Sequence, residues 1–147
     1  MHLQSASKIT KQKNMKQTIL VTGASSGFGL LIASKLHESG YTVIGTSRNP
    51  ERVQSAVPFK MIALDLDSDQ SIDTLPDRFF KEIGQLDILI NNAGFLVTGI
   101  AEEIPIELGR KQFETNFWGT IKVTNAVLPY FRKQKFGKII NYDKLHC

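Results

Sequence analysis

Short apolar segments alternate with longer amphipathic ones along the chain. The apolar segments are rich in Ile, Val and Leu, and such near-continuous hydrophobicity is typical of strands covered on both faces of a parallel sheet. They predict five strands, at residues 17–22, 41–47, 59–65, 86–91 and 137–142. The segments between them carry apolar residues at helical spacing, and predict helices at residues 27–39, 69–83 and about 106–133.

Two prolines fall inside the predicted helices. Pro76 either distorts the second helix or marks a late start, and Pro129 is expected to bend the last turn of the third. Six residues of the third helix share one stripe at helical spacing: Phe113, Phe117, Ile121, Thr124, Leu128 and Phe131.

The alternation of strands and helices predicts βαβ units with right-handed crossovers. The fold class is therefore α/β, a doubly wound parallel sheet with the simplest strand order 3-2-1-4-5. The sequence ends five residues after the fifth predicted strand. We expect an incomplete version of such a sheet.

The charge of the chain is concentrated in its first residues. The 147 residues carry a net charge of +4, with 41% hydrophobic and 22% charged residues, which is typical of one ordinary globular domain. Four lysines and no acid occur in residues 1–16, and 14 basic residues balance 14 acidic ones in the remainder. The basic character belongs to a tail, so the folded part is not predicted to bind nucleic acid.

The first 15 residues are interpreted as a basic, disordered tail, and residues 16–147 as the folded domain. The tail has no apolar core segment, which excludes a secretory signal. Its Ser and Lys content favours a transit peptide, whereas its lack of Arg does not. A further alternative is an upstream start codon, with Met15 as the true beginning.

Membrane insertion, disulfide bonding and metal binding are not predicted. The longest uncharged stretch, residues 17–34, contains Thr, Ser and three Gly, which argues against a membrane span. A single cysteine, Cys147, excludes an internal disulfide and favours a reducing compartment, here the cytoplasm. The three histidines form no spaced cluster.

The stretch "VTGASSGFG" at residues 21–29 joins the first strand to the first helix. In this context glycines permit a tight turn and let backbone N–H groups approach a pyrophosphate at the helix N-terminus. The two serines add hydroxyl donors. The alternative is a Gly-rich turn that only changes the chain direction. The predicted binding residues are Gly23, Ser25, Ser26, Gly27, Phe28 and Gly29.

Three motifs occur in an order that identifies a family. "TGASSGFG" begins at Thr22, "NNAG" at Asn91 directly follows the fourth strand, and "NFWGTIKVTNAVLPYF" begins at Asn116. Over about residues 16–141 the chain resembles the short-chain dehydrogenases/reductases. The resemblance implies a Rossmann-type NAD(P)-binding domain and an oxidoreductase function.

The resemblance also implies roles for particular residues. The segment Asn91, Asn92, Ala93 and Gly94 would stabilise the central strand and pass near the adenosine ribose. In "LDLDS", Asp65, with Leu66 beside it, would lie near the adenine amino group, although Asp65 is alternatively a capping residue. Asn116 stands at the position of the family's active-site Asn.

The end of the second strand bears on the choice of cofactor. An acid at this place binds the ribose 2′-OH of NAD and repels a 2′-phosphate. Here the sequence is "GTSRNPER", in which Ser47 takes the acid's usual place and Arg48 follows it. A guanidinium presents paired donors to phosphate oxygens. We therefore predict NADP rather than NAD, the alternative being that Arg48 is a solvated loop residue.

The residues after the fifth strand depart from the family pattern. The resemblance leads us to expect a Ser there and then Tyr-x-x-x-Lys, but the sequence reads "YDKLHC", with Lys144 at the place of the Ser. Tyr142 and Lys144, two residues apart, do not reproduce a Tyr and Lys on one helix face. We expect the cofactor-binding half of a reductase, truncated or frameshifted and inactive by itself. The apolar fifth strand would then form an exposed edge.

Two functions follow from these expectations. The leading one is NADP-dependent hydride transfer to or from a small carbonyl or alcohol substrate. The alternative is a non-catalytic NADP-binding or regulatory module that uses the same loop. Nucleic-acid binding through the lysine-rich tail is a third, less favoured hypothesis.

Overall fold

The protein is described by a computed structural model that covers residues 16–142. Its centre is a five-stranded sheet in which all neighbouring strands are parallel, in the order β3-β2-β1-β4-β5. This confirms the predicted fold class and strand order. The strands are β1 (Thr18–Val21), β2 (Thr42–Ser47), β3 (Lys60–Ala63), β4 (Ile88–Asn91) and β5 (Lys138–Asn141). The predicted tail and the residues after 142 lie outside the described part.

Helices connect the strands on both faces of the sheet. They are α1 (Gly27–Glu38), α2 (Asp69–Asp73), α3 (Leu75–Glu82), α4 (Ile106–Phe113) and α5 (Thr120–Gln134). A π-helical segment, Glu114–Gly119, joins α4 to α5 without a break. Two short 3₁₀ turns, Pro50–Arg52 and Gln54–Ala56, lie between β2 and β3.

The sheet separates two hydrophobic cores. Successive strand residues point to opposite faces, so Ile19 and Val21 enter one core and Leu20 enters the other. The first core is covered by α1, through Ala33. The second is covered by residues of α2, α3 and α5, among which Phe79 is buried. Both faces of the central strands are apolar because both are covered, which explains their near-continuous hydrophobicity.

Pro76 divides the predicted second helix into two. The helix α2 ends at Asp73, and α3 begins at Leu75 with Pro76 at its start. A proline is well tolerated there because the first turn has no intrahelical acceptor for its missing N–H. The helix thus begins at Asp69 as predicted, and of the two interpretations of Pro76 the one observed is a distortion, an interruption after which a second helix starts.

Of the predicted stripe on the third helix, only Phe131 is buried, and Ile121, Thr124 and Leu128 are half-buried. Phe113 and Phe117 are 55% and 44% exposed, and the buried residues of α5 are Val123, Val127 and Phe131. No residue of α4 is buried, so this part of the helix does not face either core. The π-helical segment that follows has a wider turn and changes the helical phase before α5.

The fifth strand lies at an edge of the sheet. It pairs with β4 alone among residues 16–142, in the register Asn91↔Asn141. Three of its four residues are exposed, including Ile140. The backbone N–H of Tyr142 donates to the Asn91 carbonyl at 2.9 Å, so the pairing continues one residue beyond the strand.

We expect Phe79→Ala to lower the free energy of unfolding by about 3–5 kcal/mol, because Phe79 is 2% exposed and its removal leaves a cavity. Phe113→Ala is the matched control, since this ring is largely exposed and its loss changes stability by less than about 0.5 kcal/mol. Urea unfolding of both variants measures the difference. Equal losses would contradict the two-core description.

Candidate functional site

An open cleft of about 740 Å³ lies where the carboxyl ends of the strands meet. The chain moves outward from β1 through β2 to β3 and then returns to place β4 on the other side of β1. Such a reversal of strand order leaves a crevice between the two halves, which is the usual ligand site of an open α/β sheet. A volume of this size is typical of small-molecule sites.

Eleven of the fourteen predicted binding residues line this cleft. The loop between β1 and α1 contributes Gly23, Ser25, Ser26, Gly27 and Phe28. The ends of the other strands contribute Ser47, Arg48, Asp65, Leu66, Ala93 and Gly94. Residues far apart in sequence are therefore brought to one surface, whereas Gly29, Asn91 and Asn92 are not part of it.

Two glycines shape the first loop. Gly23 and Gly27 have φ values of +66° and +56°, in the left-handed region that side chains disfavour. A Cβ on Gly23 would lie 2.8 Å from the Ala93 Cα, so this glycine also allows a close approach of two chain segments. A Cβ on Gly27 would meet no atom within 4 Å, because the space beside it belongs to the cleft.

Gly29 packs inside the protein instead of lining the cleft. A Cβ at this position would lie 2.0 Å from the Gly23 carbonyl oxygen and 2.3 Å from Asn92 Nδ2. Neither neighbour is the free end of a flexible chain. Gly29 thus sets the distance between the first turn of α1 and the ends of β1 and β4.

The N-terminus of α1 faces the cleft with its donors available. Ser26 is the N-cap residue, but its side chain does not cap the helix. The first N–H groups of a helix have no intrahelical acceptor and carry partial positive charge. Together with the hydroxyls of Ser25 and Ser26, they form a donor set that suits an anion.

A hydrogen-bond network joins the ends of β1 and β4. The Thr22 hydroxyl accepts from the backbone N–H groups of Asn92 and Ala93, each at 3.0 Å. In return, Asn92 Nδ2 donates to the carbonyls of Thr22 at 3.0 Å and Gly23 at 3.2 Å. Asn92 is 2% exposed, so this side chain acts on the protein backbone and not on the cleft.

The neighbouring asparagine has an equally internal role. Asn91 Nδ2 donates to Thr124 Oγ1 at 3.0 Å and to Asn141 Oδ1 at 2.9 Å. Its side chain therefore connects the end of β4 to α5 and β5. Of the four residues in the "NNAG" motif, the two asparagines hold the sheet together and the two small residues face the cleft.

Asn116 holds the segment that follows β4. Its Oδ1 accepts from the Phe95 N–H at 3.0 Å, and its Nδ2 donates to the Phe95 carbonyl at 2.7 Å. The side-chain amide of Asn116 thus binds both backbone groups of one residue, Phe95. Asn116 lies in the π-helical segment, and Lys122 ties this segment to α2 through Glu114 at 2.7 Å and Asp69 at 2.9 Å. These hydrogen bonds raise the pKa of Lys122.

The end of β2 presents a free cation to the cleft. Arg48 is exposed and forms no ion pair or side-chain hydrogen bond with any residue in the range 16–142. Beside it, Ser47 Oγ accepts from the Asn49 N–H at 3.2 Å. The guanidinium is therefore available to an anionic ligand.

The acidic residue after β3, Asp65, forms hydrogen bonds within the turn that follows the strand. Asp65 Oδ1 accepts from the Asp67 N–H at 3.0 Å, and the Asp65 N–H donates to Ser71 Oγ at 2.9 Å. Asp65 nonetheless lines the cleft, so capping the turn and facing the cleft are compatible. Leu66, which is buried, supplies part of the wall and part of the second core.

Nine further residues line the cleft that were not among the predicted binding residues. They are Thr46, Leu64, Asp67, Phe95, Leu96, Leu108, Lys111, Thr115 and Tyr142. The position of Tyr142 could have been predicted from the sequence. A residue that directly follows a parallel strand lies beside the carboxyl ends of the other strands, where the cleft is. Those on α4 and the π-helical segment had no local signal, since tertiary packing brings them to the cleft.

Comparison with known proteins assigns the family. The family model described as short chain dehydrogenase matches residues 17–143. The chain belongs to this family. The 3-ketodihydrosphingosine reductase of Bacteroides thetaiotaomicron is 42% identical over 129 residues, covering 88% of this chain and 47% of the relative. The chain thus spans about half the length of the curated relatives it matches.

Solved structures agree with this assignment. A short-chain dehydrogenase from Streptomyces avermitilis has a TM-score of 0.79 and 36% identity, covering 88% of this chain and 49% of that one. The structure of ElxO with NADP bound has a TM-score of 0.78 and 28% identity, covering 86% and 55% respectively. The family assignment therefore agrees with the sheet topology and with the position of the cleft.

The described residues contain neither a membrane-spanning helix nor a metal-binding cluster. Between residues 16 and 142 no helix combines the length and the apolar character needed to traverse a bilayer. The same residues contain no group of three or more His, Cys, Asp or Glu side chains arranged to hold a metal ion.

We expect Gly29→Ala to destabilise the protein by about 1–3 kcal/mol, because the added methyl overlaps the Gly23 carbonyl. Gly109→Ala is the matched control. This helical glycine has open space around its Cβ, so alanine there is expected to stabilise by up to about 1 kcal/mol. Thermal unfolding measures both, and a neutral Gly29→Ala would contradict the close packing.

Proposed function

We propose that the cleft binds NADP(H), and that the protein acts in an NADP-dependent oxidoreductase that interconverts small carbonyl and alcohol substrates. The observation that carries the proposal is the exposed and unpaired Arg48 at the end of β2, in a cleft that also contains the N-terminus of α1. Two anion-binding features lie in one crevice.

The pyrophosphate is assigned to the loop after β1. Gly27 leaves its side of the loop open, and the first turn of α1 directs N–H groups toward the same space. The hydroxyl of Ser26 forms no capping hydrogen bond with the helix, so it is a further donor for the ligand. The residues present therefore fit a diphosphate.

The adenosine end is assigned to the ends of β2 and β3. A 2′-phosphate at Arg48 would receive charge-assisted, paired hydrogen bonds. Ser47 stands where a carboxylate would instead favour the 2′-hydroxyl of NAD. Asp65 and Leu66 border the same part of the cleft and would flank the adenine. That the related ElxO has been solved with NADP bound supports this choice.

The protein's own contribution is binding and orientation. The cofactor, when bound, supplies the hydride, and the chain fixes its position. The segment from Ala93 to Phe95 borders the cleft, and two hydrogen bonds from the Asn116 side chain to Phe95 hold it in place. We propose that Asn116 acts by positioning this segment.

A non-catalytic NADP-binding or regulatory role is the second candidate for the 147 residues taken alone. They contain no Tyr-x-x-x-Lys, and Lys144 takes the place of the expected Ser. Turnover gained when a family-like C-terminal half is joined to the chain would favour the first role, and NADP binding without turnover in that fusion would favour the second. The single cysteine and the balanced charge of residues 17–147 are the grounds for proposing a cytoplasmic location and no nucleic-acid partner.

We expect Arg48→Asp to weaken NADP⁺ binding by roughly ten- to a hundredfold, since a charge-assisted contact contributes about 1.5–3 kcal/mol. NAD⁺ affinity should be unchanged or higher. Arg52→Asp is the control, because Arg52 is also exposed but does not line the cleft. Isothermal titration with both cofactors measures the effect, and equal losses for NADP⁺ and NAD⁺ would refute the assignment.

We expect the purified 147-residue chain to bind NADPH without oxidising it in the presence of aldehydes or ketones. A missing general acid alone reduces catalysis by about 10²–10⁴-fold. The assay follows the absorbance of the reduced cofactor over a panel of carbonyl compounds. Turnover that copurifies with the chain and is lost in Asn116→Ala would overturn this expectation.

A further inference from the structure

The π-helical segment Glu114–Gly119 contacts two walls of the cleft. The first wall is the turn after β3, where Leu66 and Asp67 line the cleft. The second wall is the segment after β4, from Ala93 to Phe95, which lines it as well. Both walls belong to connections between a strand and a helix, outside the ladder of the sheet. The sheet alone therefore does not fix the distance between them.

The segment contacts the first wall at two points. A Cβ on Gly119 would lie 3.0 Å from the Leu66 Cβ and 3.3 Å from the Leu66 carbonyl oxygen, so the helix passes closely over this residue. Nearer the start of the segment, the Thr115 hydroxyl donates to Asp67 Oδ1. Asp67 is exposed, and a hydrogen bond in contact with water contributes little net free energy. The packing on Leu66 therefore needs a further support.

The segment contacts the second wall through Asn116. The amide of this residue binds the Phe95 N–H at 3.0 Å and the Phe95 carbonyl at 2.7 Å. It also lies against Gly94, where an added Cβ would be 2.7 Å from Asn116 Oδ1. Asn116 and Gly119 are within one helical turn of each other. Any displacement of this turn would therefore move Phe95 relative to Leu66.

Lys122 connects this segment to the element that follows the first wall. Its Nζ lies 2.7 Å from Glu114 Oε1, at the start of the π-helical segment, and 2.9 Å from Asp69 Oδ1, in the first turn of α2. The Lys122 side chain is only 36% exposed, so its ion pairs are partly shielded from water. Lys122 itself belongs to α5, and one ammonium group thus joins three elements.

We propose that Lys122 is a positioning residue of the cofactor cleft. Its two ion pairs hold the π-helical segment against the first wall, and Asn116 of that segment holds Phe95 on the second. The inference rests on the proposed function and adds a residue that does not itself line the cleft. A ligand that lies along both walls depends on their separation, whereas a ligand confined to the first wall does not.

The first measurement needs no cofactor. The Phe95 N–H donates to Asn116 Oδ1, so its hydrogen exchange in the full chain, followed by NMR, reports how firmly the second wall is held. We expect Lys122→Met to accelerate this exchange by roughly two- to fivefold, the effect of losing a partly exposed ion pair. Lys122→Arg keeps the positive charge and should restore the original rate. Glu114→Gln removes one of the two ion pairs and should give a smaller acceleration.

The matched control is a second ion pair, Lys60 with Glu82, which lies outside the cleft. Its side chains are 46% and 51% exposed, so breaking it should lower the overall stability to a similar extent. We expect Lys60→Met to leave the exchange of the Phe95 N–H unchanged. An effect through global stability alone would appear in both lysine variants.

The second measurement compares a whole cofactor with part of it. Isothermal titration is carried out with NADP⁺ and with adenosine 2′,5′-bisphosphate, which carries the 2′-phosphate but has no nicotinamide half. We expect Lys122→Met to weaken NADP⁺ binding by roughly two- to fivefold and to leave the affinity for the bisphosphate unchanged. Lys122→Arg should bind both ligands as the original chain does, and so should Lys60→Met.

The outcomes separate this inference from the proposed function. Unchanged exchange of the Phe95 N–H in Lys122→Met overturns the inference, as does equal acceleration in Lys60→Met. Unchanged NADP⁺ affinity, or an equal loss for NADP⁺ and the bisphosphate, overturns it too. Failure of the original chain to bind either ligand overturns instead the proposed function. Faster exchange and a loss confined to NADP⁺, both restored in Lys122→Arg, support the positioning role.

Discussion

The close packing of the β1–α1 loop against the end of β4 is the constraint on which the site depends. Asn92 donates to the carbonyls of Thr22 and Gly23, and the Thr22 hydroxyl accepts from the backbone after β4. This exchange pairs backbone groups that lie just beyond the carboxyl ends of β1 and β4, where the ladder gives them no partner. It is possible only because Gly23 and Gly29 have no side chains to separate the segments.

Polar residues around the cleft divide into two groups by this packing. Buried amides bind backbone or other elements: Asn92 joins β4 to β1, Asn91 joins it to α5 and β5, and Asn116 holds Phe95. The groups left for a ligand are the helix N-terminus, the serine hydroxyls and Arg48. Hydrogen-bonded internal residues thus carry an exposed donor set, an arrangement that would lower the ordering cost of binding the proposed NADP(H).

The π-helical segment between α4 and α5 supplies the internal contacts on this side of the cleft. Asn116 of this segment reaches the residues after β4, and farther along the same continuous helix Val123, Val127 and Phe131 lie in the core. Lys122 stabilises the same segment through Glu114 and Asp69.

The sequence by itself determined the class of fold, the strand order and most of the segments that border the cleft. Apolar runs and helical spacing are local signals, and the glycine loop after β1 marks the crevice wherever such a sheet forms. Only the tertiary structure decided which of these residues pack inside the protein and which of them border the cleft. Gly27 and Gly29 are alike in sequence, yet one borders open space and the other packs against backbone. Likewise, Tyr142 meets Phe28 only because β5 pairs with β4, and no local pattern encodes a contact between residues 114 positions apart.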